Sequence, residues 1–94
     1  MDIMNNEAAR RFETTVDGHT AELEYRRHGE RLVLVHTEVP DELEGRGVGG
    51  ALVTAAVDYA VGEGLTIVPM CPFARGWLER HPDVAKRVPI QPAA

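Results

Sequence analysis

The sequence has 94 residues, of which 44% are hydrophobic and 27% charged, a composition that fits one globular domain and excludes a second domain or a disordered chain. Ten basic and fifteen acidic side chains leave a formal net charge of −5, which disfavours nucleic acid as a partner. One cysteine cannot form an intramolecular disulfide, and no apolar run reaches the roughly 18 residues of a membrane span, so we expect a cytoplasmic protein that needs no metal or membrane.

Three strands in an antiparallel meander are predicted first. Apolar and polar residues alternate from Phe12 to Val16, and Asp17-Gly18 then supplies the positive φ angles of a tight hairpin turn. The alternation resumes from Ala21 to Arg26, which indicates a strand with one buried face. Leu32 to Val35 is continuously apolar and predicts a third strand that is covered on both faces.

A long helix and a fourth strand follow the meander. Apolar residues recur at helical spacing from Val48 to Ala60, and Gly62 and Gly64 are predicted to end this helix. Leu65 to Val68 predicts a buried strand, which a right-handed crossover would place roughly parallel to the third strand.

The C-terminal part predicts a short helix and a loose tail. Phe73 to Arg80 has helical spacing and follows Pro72, which suits a first helical turn, whereas Pro89 to Ala94 shows no periodic pattern. The order of elements predicts a single α/β domain over residues 1–94, with its core at about residues 11–88.

A glycine-rich loop joins the third strand to the long helix. Its glycines carry no Cβ atoms that would keep a ligand from the backbone amides, and the helix N-terminus adds unsatisfied donors and a partial positive charge. The loop therefore predicts a pyrophosphate site, with Arg46 as a reinforcing cation, formed by Gly45, Arg46, Gly47, Val48, Gly49 and Gly50. The alternative interpretation is a tight turn with close helix packing.

Two common phosphate motifs do not fit this loop. The Walker pattern requires Lys and then Ser or Thr where Ala51 and Leu52 stand. The loop matches the GxGxxG pattern of dinucleotide-binding folds, but the chain is too short for their sheet, and Val68-Pro69 offers no acidic residue at the end of the next strand. A loop that binds the pyrophosphate of coenzyme A is the third possibility.

The loop resembles motif A of the GNAT acetyltransferase superfamily, in which Gln or Arg is followed by two residues, Gly, one residue, and Gly or Ala. Gly47 and Gly49 match this pattern, and Glu44 stands where the superfamily usually has Gln or Arg. The neighbouring segments look like the small stand-alone, YjdJ-type GNAT proteins; they are His36–Pro40, Met70–Phe73 and Trp77–Pro82.

This resemblance implies a minimal GNAT fold and an N-acyltransferase that uses acetyl-CoA or another acyl-CoA. The acceptor would be an amine or a protein of unknown identity. GNAT folds splay the two strands that flank the motif A helix, here those ending at Val39 and Val68, and hold the pantetheine arm between them. The backbone around Val39 would pair with this arm.

Three side chains are candidates for the chemistry. His36 and Glu38 alternate onto one strand face, where either could take a proton from the amine. Cys71 ends a strand just before a helix whose dipole favours a thiolate, so it could donate a proton, accept the acyl group or only pack. The Tyr that larger GNAT enzymes use as general acid is missing, since Phe73 and Trp77 occupy that neighbourhood. A coenzyme A binding module with little catalysis, and an interaction domain that has lost the ligand, remain as alternatives.

Overall fold

A computed structural model, which describes residues 1–92, contains one five-stranded sheet in the order β1-β2-β3-β4-β5. The strands are Met4–Asn6 (β1), Arg11–Val16 (β2), His19–His28 (β3), Arg31–Glu38 (β4) and Thr66–Pro69 (β5); the helices are Val48–Glu63 (α1), Pro72–Arg80 (α2) and Pro82–Ala85 (α3). The first four strands pair antiparallel, and β5 pairs parallel to β4 after the crossover through α1. The predicted meander, crossover helix and parallel last strand are confirmed. Within residues 1–92, no helix combines the length and the apolar composition that crossing a bilayer requires.

The hairpin turn between β2 and β3 forms where the sequence predicts it. Asp17 and Gly18 have φ angles of 50° and 78°, and Val16 pairs with His19 across the turn. Positive φ at both central residues gives the turn a twist that matches the right-handed twist of the two strands. This turn contacts the glycine loop, because Nη1 of Arg46 forms an ion pair with Oδ2 of Asp17 at 2.8 Å.

Both outer edges of the sheet differ from the sequence prediction. The short strand β1 pairs with β2, although Met4-Asn5-Asn6 shows no alternation that would predict a strand. At the other edge, the N–H of Ile67 donates to the carbonyl of Pro89 at 2.9 Å, and the N–H of Gln91 donates to the carbonyl of Ile67 at 2.8 Å. The prediction of a loose tail is therefore wrong for residues 89–91, because the free edge of β5 offers them hydrogen bonds; residues 93–94 lie outside the described residues.

Only one face of β4 is covered. Leu32 and Leu34 are fully buried against the helices, whereas Val33 is half-buried and Val35 is 37% exposed on the opposite face. The prediction that this strand is covered on both faces is wrong, because α1 and α2 pack on the same side of the sheet and contact each other. A continuous apolar run does not reveal how many layers lie over a strand.

Helix α1 supplies most of the apolar layer beneath the sheet. Its fully buried side chains are Val48, Leu52, Val53, Ala56, Val57 and Ala60. The helix continues through Gly62, contrary to the prediction that both glycines end it, and stops at Gly64, whose φ of 69° closes the C-terminus.

Thr14 is the polar residue inside this core. It is 4% exposed, and its Oγ1 has no hydrogen-bond partner among the described residues. A buried hydroxyl without a partner loses its hydrogen bonds to water and gains nothing in return.

Replacing Thr14 with Val should therefore raise the free energy of unfolding by about 1 kcal/mol, because a methyl group of similar size takes the place of the unpaired hydroxyl. Denaturant titration measures the change. Thr15→Val on the same strand is the control, since Thr15 is exposed and its hydroxyl bonds to that of Thr20 at 2.9 Å. A loss of stability in Thr14→Val would contradict the interpretation.

Candidate functional site

The strands β4 and β5 separate at one end of the sheet. Their pairing ends at Leu34 and Pro69, and the N–H of Cys71 donates to the carbonyl of Leu34 at 2.9 Å. Strand β4 continues to Glu38, and on its β5 side the backbone of residues 35–38 has no hydrogen-bond partner in the part of the chain that the structure describes. This unpaired edge can accept an extended ligand by the hydrogen bonds of strand addition.

A β-bulge decides which way the residues of this segment face. Tyr25 pairs with Leu34 and Glu24 pairs with His36, so Val35 is the extra residue in β4. Beyond the bulge, Thr37 lies opposite buried Leu23 and faces the helices.

His36 and Glu38 therefore project from the opposite, outer face of the sheet. Their Nε2 and Oε2 atoms are 3.6 Å apart, and the side chains are 62% and 67% exposed. The two residues do share one strand face, as the sequence indicates, and this face is open to solvent.

The glycine loop presents a row of free backbone donors. Gly45 and Gly47 have φ angles of 74° and 75°, a backbone conformation that residues other than Gly adopt only at a cost in free energy. No side chain caps the N-terminus of the helix that follows. The N–H groups of residues 45–50 make no hydrogen bond within residues 1–92; the first N–H with a partner is that of Ala51, which donates to the carbonyl of Gly47 at 3.0 Å. An anion would satisfy several of these donors at once.

Gly49 and Gly50 also meet a packing requirement. A Cβ atom on Gly49 would lie 2.5 Å from Cζ of Phe73, and one on Gly50 would lie 2.5 Å from Nε1 of Trp77. The alternative interpretation of the glycines thus holds for this pair, because they allow α1 and α2 to approach closely. No atom would lie within 4 Å of a Cβ on Gly45 or Gly47, so these two leave open space on the loop.

The unpaired edge and the loop border one cleft of about 510 Å³, a volume in the usual range for small-molecule sites. Its walls come from β4, the loop and α2; the lining residues are Thr37, Val39, Leu43, Glu44, Gly45, Gly47, Val48, Gly49, Gly50, Phe73 and Trp77. Sequence reasoning did not select Thr37, Phe73 or Trp77 as site residues. Helical spacing could have shown that Phe73 and Trp77 share a face of α2, but no local signal marks Thr37.

Cys71 lies behind the wall of this cleft. The residue is 3% exposed, and its Sγ is 3.2 Å from Oγ1 of Thr37, which does line the cleft. The thiol is therefore on the helix side of β4, whereas His36 and Glu38 are on the outer side. The structure places the three candidate catalytic residues around the end of β4, but not on one surface.

Arg46 and Glu44 differ in their relation to the cleft. Glu44 lines it with an exposed side chain, whereas Nη1 of Arg46 contacts Oδ2 of Asp17 at 2.8 Å, outside the cleft wall. Within the described part of the chain, no group of three or more His, Cys, Asp or Glu side chains could hold a metal ion.

Comparisons of the sequence and of the structure with known proteins point to the same family. Residues 11–88 match the family described as GCN5-related N-acetyl-transferase. A 76-residue segment is 37% identical to Protein NATD1 of Mus musculus and to that of Homo sapiens; it covers 78% of this chain and 69% and 67% of theirs. The solution structure of a GCN5-like protein from Staphylococcus aureus is similar with a TM-score of 0.75 and 30% identity, over 99% of this chain and 90% of that one.

The contact of Gly50 with Trp77 predicts an unusual response to alanine. Gly50→Ala should lower the free energy of unfolding by about 1 to 3 kcal/mol through overpacking, because the Trp77 ring is also held by stacking on His81 at 3.9 Å. Gly62→Ala in the same helix is the control, since a Cβ there meets no atom within 4 Å, and it should stabilise by about 0.5 to 1 kcal/mol. Thermal denaturation measures both changes. Equal effects in the two variants would show that the Trp77 contact is not restrictive.

Proposed function

Because this chain belongs to the GCN5-related N-acetyltransferase family, we propose that it transfers an acetyl or other short acyl group from coenzyme A to an amine. The acceptor is an amine or a protein side chain of unknown identity. The observation that carries this proposal is the meeting of two sets of unsatisfied backbone groups, those of residues 45–50 and those of residues 35–38, at one cleft.

Each set suits one part of coenzyme A. The N–H groups of residues 45–50 would bind the pyrophosphate, helped by the positive end of the α1 dipole. The free edge of β4, up to Val39, would pair with the amides of the pantetheine arm. A ligand that fills both positions directs its thioester towards the end of β4, where the candidate catalytic side chains lie.

The two faces of β4 suggest a division of labour. His36 and Glu38 would take the proton from an amine that approaches over the outer face, while its nitrogen attacks the thioester carbonyl. The carbon–sulfur bond then breaks and the thiolate of coenzyme A leaves. On the helix side, Cys71 would either donate a proton to that thiolate or first accept the acyl group in a thioester exchange.

A binding module with little catalysis is the second candidate. It is favoured by the burial of Cys71 and by the lack of a Tyr near the end of β5, which leave no evident group to protonate the thiolate. The carboxylate of Glu44 in the cleft wall opposes a pyrophosphate and favours instead the third alternative, an interaction domain that has lost the ligand. Release of free thiol from acetyl-CoA over a panel of amines and peptides separates the candidates, because only the enzyme gives turnover that depends on the acceptor.

Binding at the loop can be tested with Gly47→Glu, which places a bulky anionic side chain in the row of amides. Acetyl-CoA at about 100 times its dissociation constant should stabilise the wild type by roughly 2.7 kcal/mol, and the variant should lose this stabilisation. Calorimetry and thermal denaturation measure the two effects. Gly29→Glu is the control, because Gly29 also has positive φ and open space but lies in the turn between β3 and β4. An unchanged ligand effect in folded Gly47→Glu would place the site elsewhere.

The role of the thiol can be tested with Cys71→Ser and Cys71→Ala. If Cys71 accepts the acyl group, both variants should lose acyl transfer by a factor of about 100 or more, because Ser is a much poorer nucleophile. If it donates a proton, Cys71→Ser should retain more activity than Cys71→Ala. Initial rates with acetyl-CoA and a responsive amine measure the difference. Wild-type rates in both variants would assign Cys71 to packing and the chemistry to His36 and Glu38.

A further inference from the structure

Arg46 is the one side chain of the glycine loop that could add a full positive charge to the phosphate site, and it already has a partner. It stands between Gly45 and Gly47, two residues of the cleft wall, yet its Nη1 lies 2.8 Å from Oδ2 of Asp17 in the turn between β2 and β3. The Arg46 guanidinium, through this hydrogen bond and its charge, lowers the pKa of the Asp17 carboxyl from its ordinary value.

The same contact ties the loop to the hairpin. Between buried Leu43 and buried Val48, the ion pair with Asp17 is the one side-chain hydrogen bond of the loop within residues 1–92. Both partners are largely exposed, with 46% of the Arg46 side chain and 71% of the Asp17 side chain accessible. An exposed ion pair of this kind is weak, so another anion can replace the carboxylate.

We propose that Asp17 competes with the phosphates of coenzyme A for Arg46, and that the hairpin turn thereby sets the affinity of the glycine loop. The inference rests on the proposed function, since the competing anion is the ligand of that site. In the free protein Arg46 is bonded to Asp17; on binding, the guanidinium exchanges the carboxylate for a phosphate oxygen, and Asp17 returns to water.

The competition makes Asp17 a residue that lowers affinity through Arg46 and not through a contact with the ligand. Loss of its charge should release Arg46 and tighten binding. Asp17→Asn is the suitable variant, because Asn tolerates the φ of 50° that Asp17 adopts and the turn is kept. Removal of any nearby carboxylate would also tighten binding of an anion. The test must therefore isolate the part of the change in affinity that depends on Arg46.

A double-mutant cycle separates these effects. The dissociation constant of acetyl-CoA is measured by titration calorimetry at low ionic strength for the wild type, Asp17→Asn, Arg46→Ala and the double variant. Glu42→Gln, alone and with Arg46→Ala, is the charge control, because Glu42 lies 4.0 Å from His19 and does not contact Arg46. Thermal denaturation without ligand verifies that all variants are folded.

Asp17→Asn is expected to tighten binding about threefold, which is the size of an exposed ion pair, and Arg46→Ala is expected to weaken it. With Arg46→Ala present, Asp17→Asn should have no effect beyond that of Glu42→Gln. An equal effect of Asp17→Asn with and without Arg46, or no effect in either case, would overturn the competition while leaving the site in place. Absence of binding in the folded wild type would instead reject the proposed function together with the inference.

Discussion

The parallel ladder between β4 and β5 ends after Leu34, and the geometry of the whole cleft depends on that end. Pro69 closes β5 and has no N–H to continue the pairing, and Pro72 starts α2 three residues later. Because β5 turns away while β4 continues to Glu38, one strand is left with a free side inside the sheet. The same divergence brings α2 against the first turn of α1, so the cleft has a strand, a helix N-terminus and an aromatic wall within one small domain.

The sequence predicts the meander, the hairpin turn and the crossover, because alternation, Asp17-Gly18 and the apolar spacing of α1 are local signals. It does not predict which face of the sheet the side chains at the end of β4 point to. Regular alternation from Leu34 would turn His36 and Glu38 towards the core, and only the extra residue at Val35 turns them outward. A bulge depends on the register between two paired strands, and the local sequence pattern of one strand does not contain this information.

The glycine loop shows a second limit of the same kind. Its letters indicate an anion site, and its free amides support that hypothesis, but they do not distinguish the roles of single glycines. Gly45 and Gly47 are required because their backbone has positive φ. Gly49 and Gly50 are required because a Cβ atom there would clash with the aromatic rings of α2. The contacts with Phe73 and Trp77 come from a distant part of the chain, so only the folded structure reveals them. Likewise, the sequence places Arg46 among the loop glycines but does not show the hairpin carboxylate that binds its guanidinium in the free protein.

The two outer edges of the sheet are poor templates for another strand. At one edge β1 has only three residues, and at the other the segment that pairs with β5 is bordered by Pro89 and Pro92, which cannot donate to a further strand. Such edges protect against chain-to-chain pairing and aggregation. The free side of residues 35–38 lies inside the sheet, beside α2 and the cleft of about 510 Å³. Among residues 1–92, the fold thus discourages strand addition at both outer edges of the sheet and leaves room for it at this inner position.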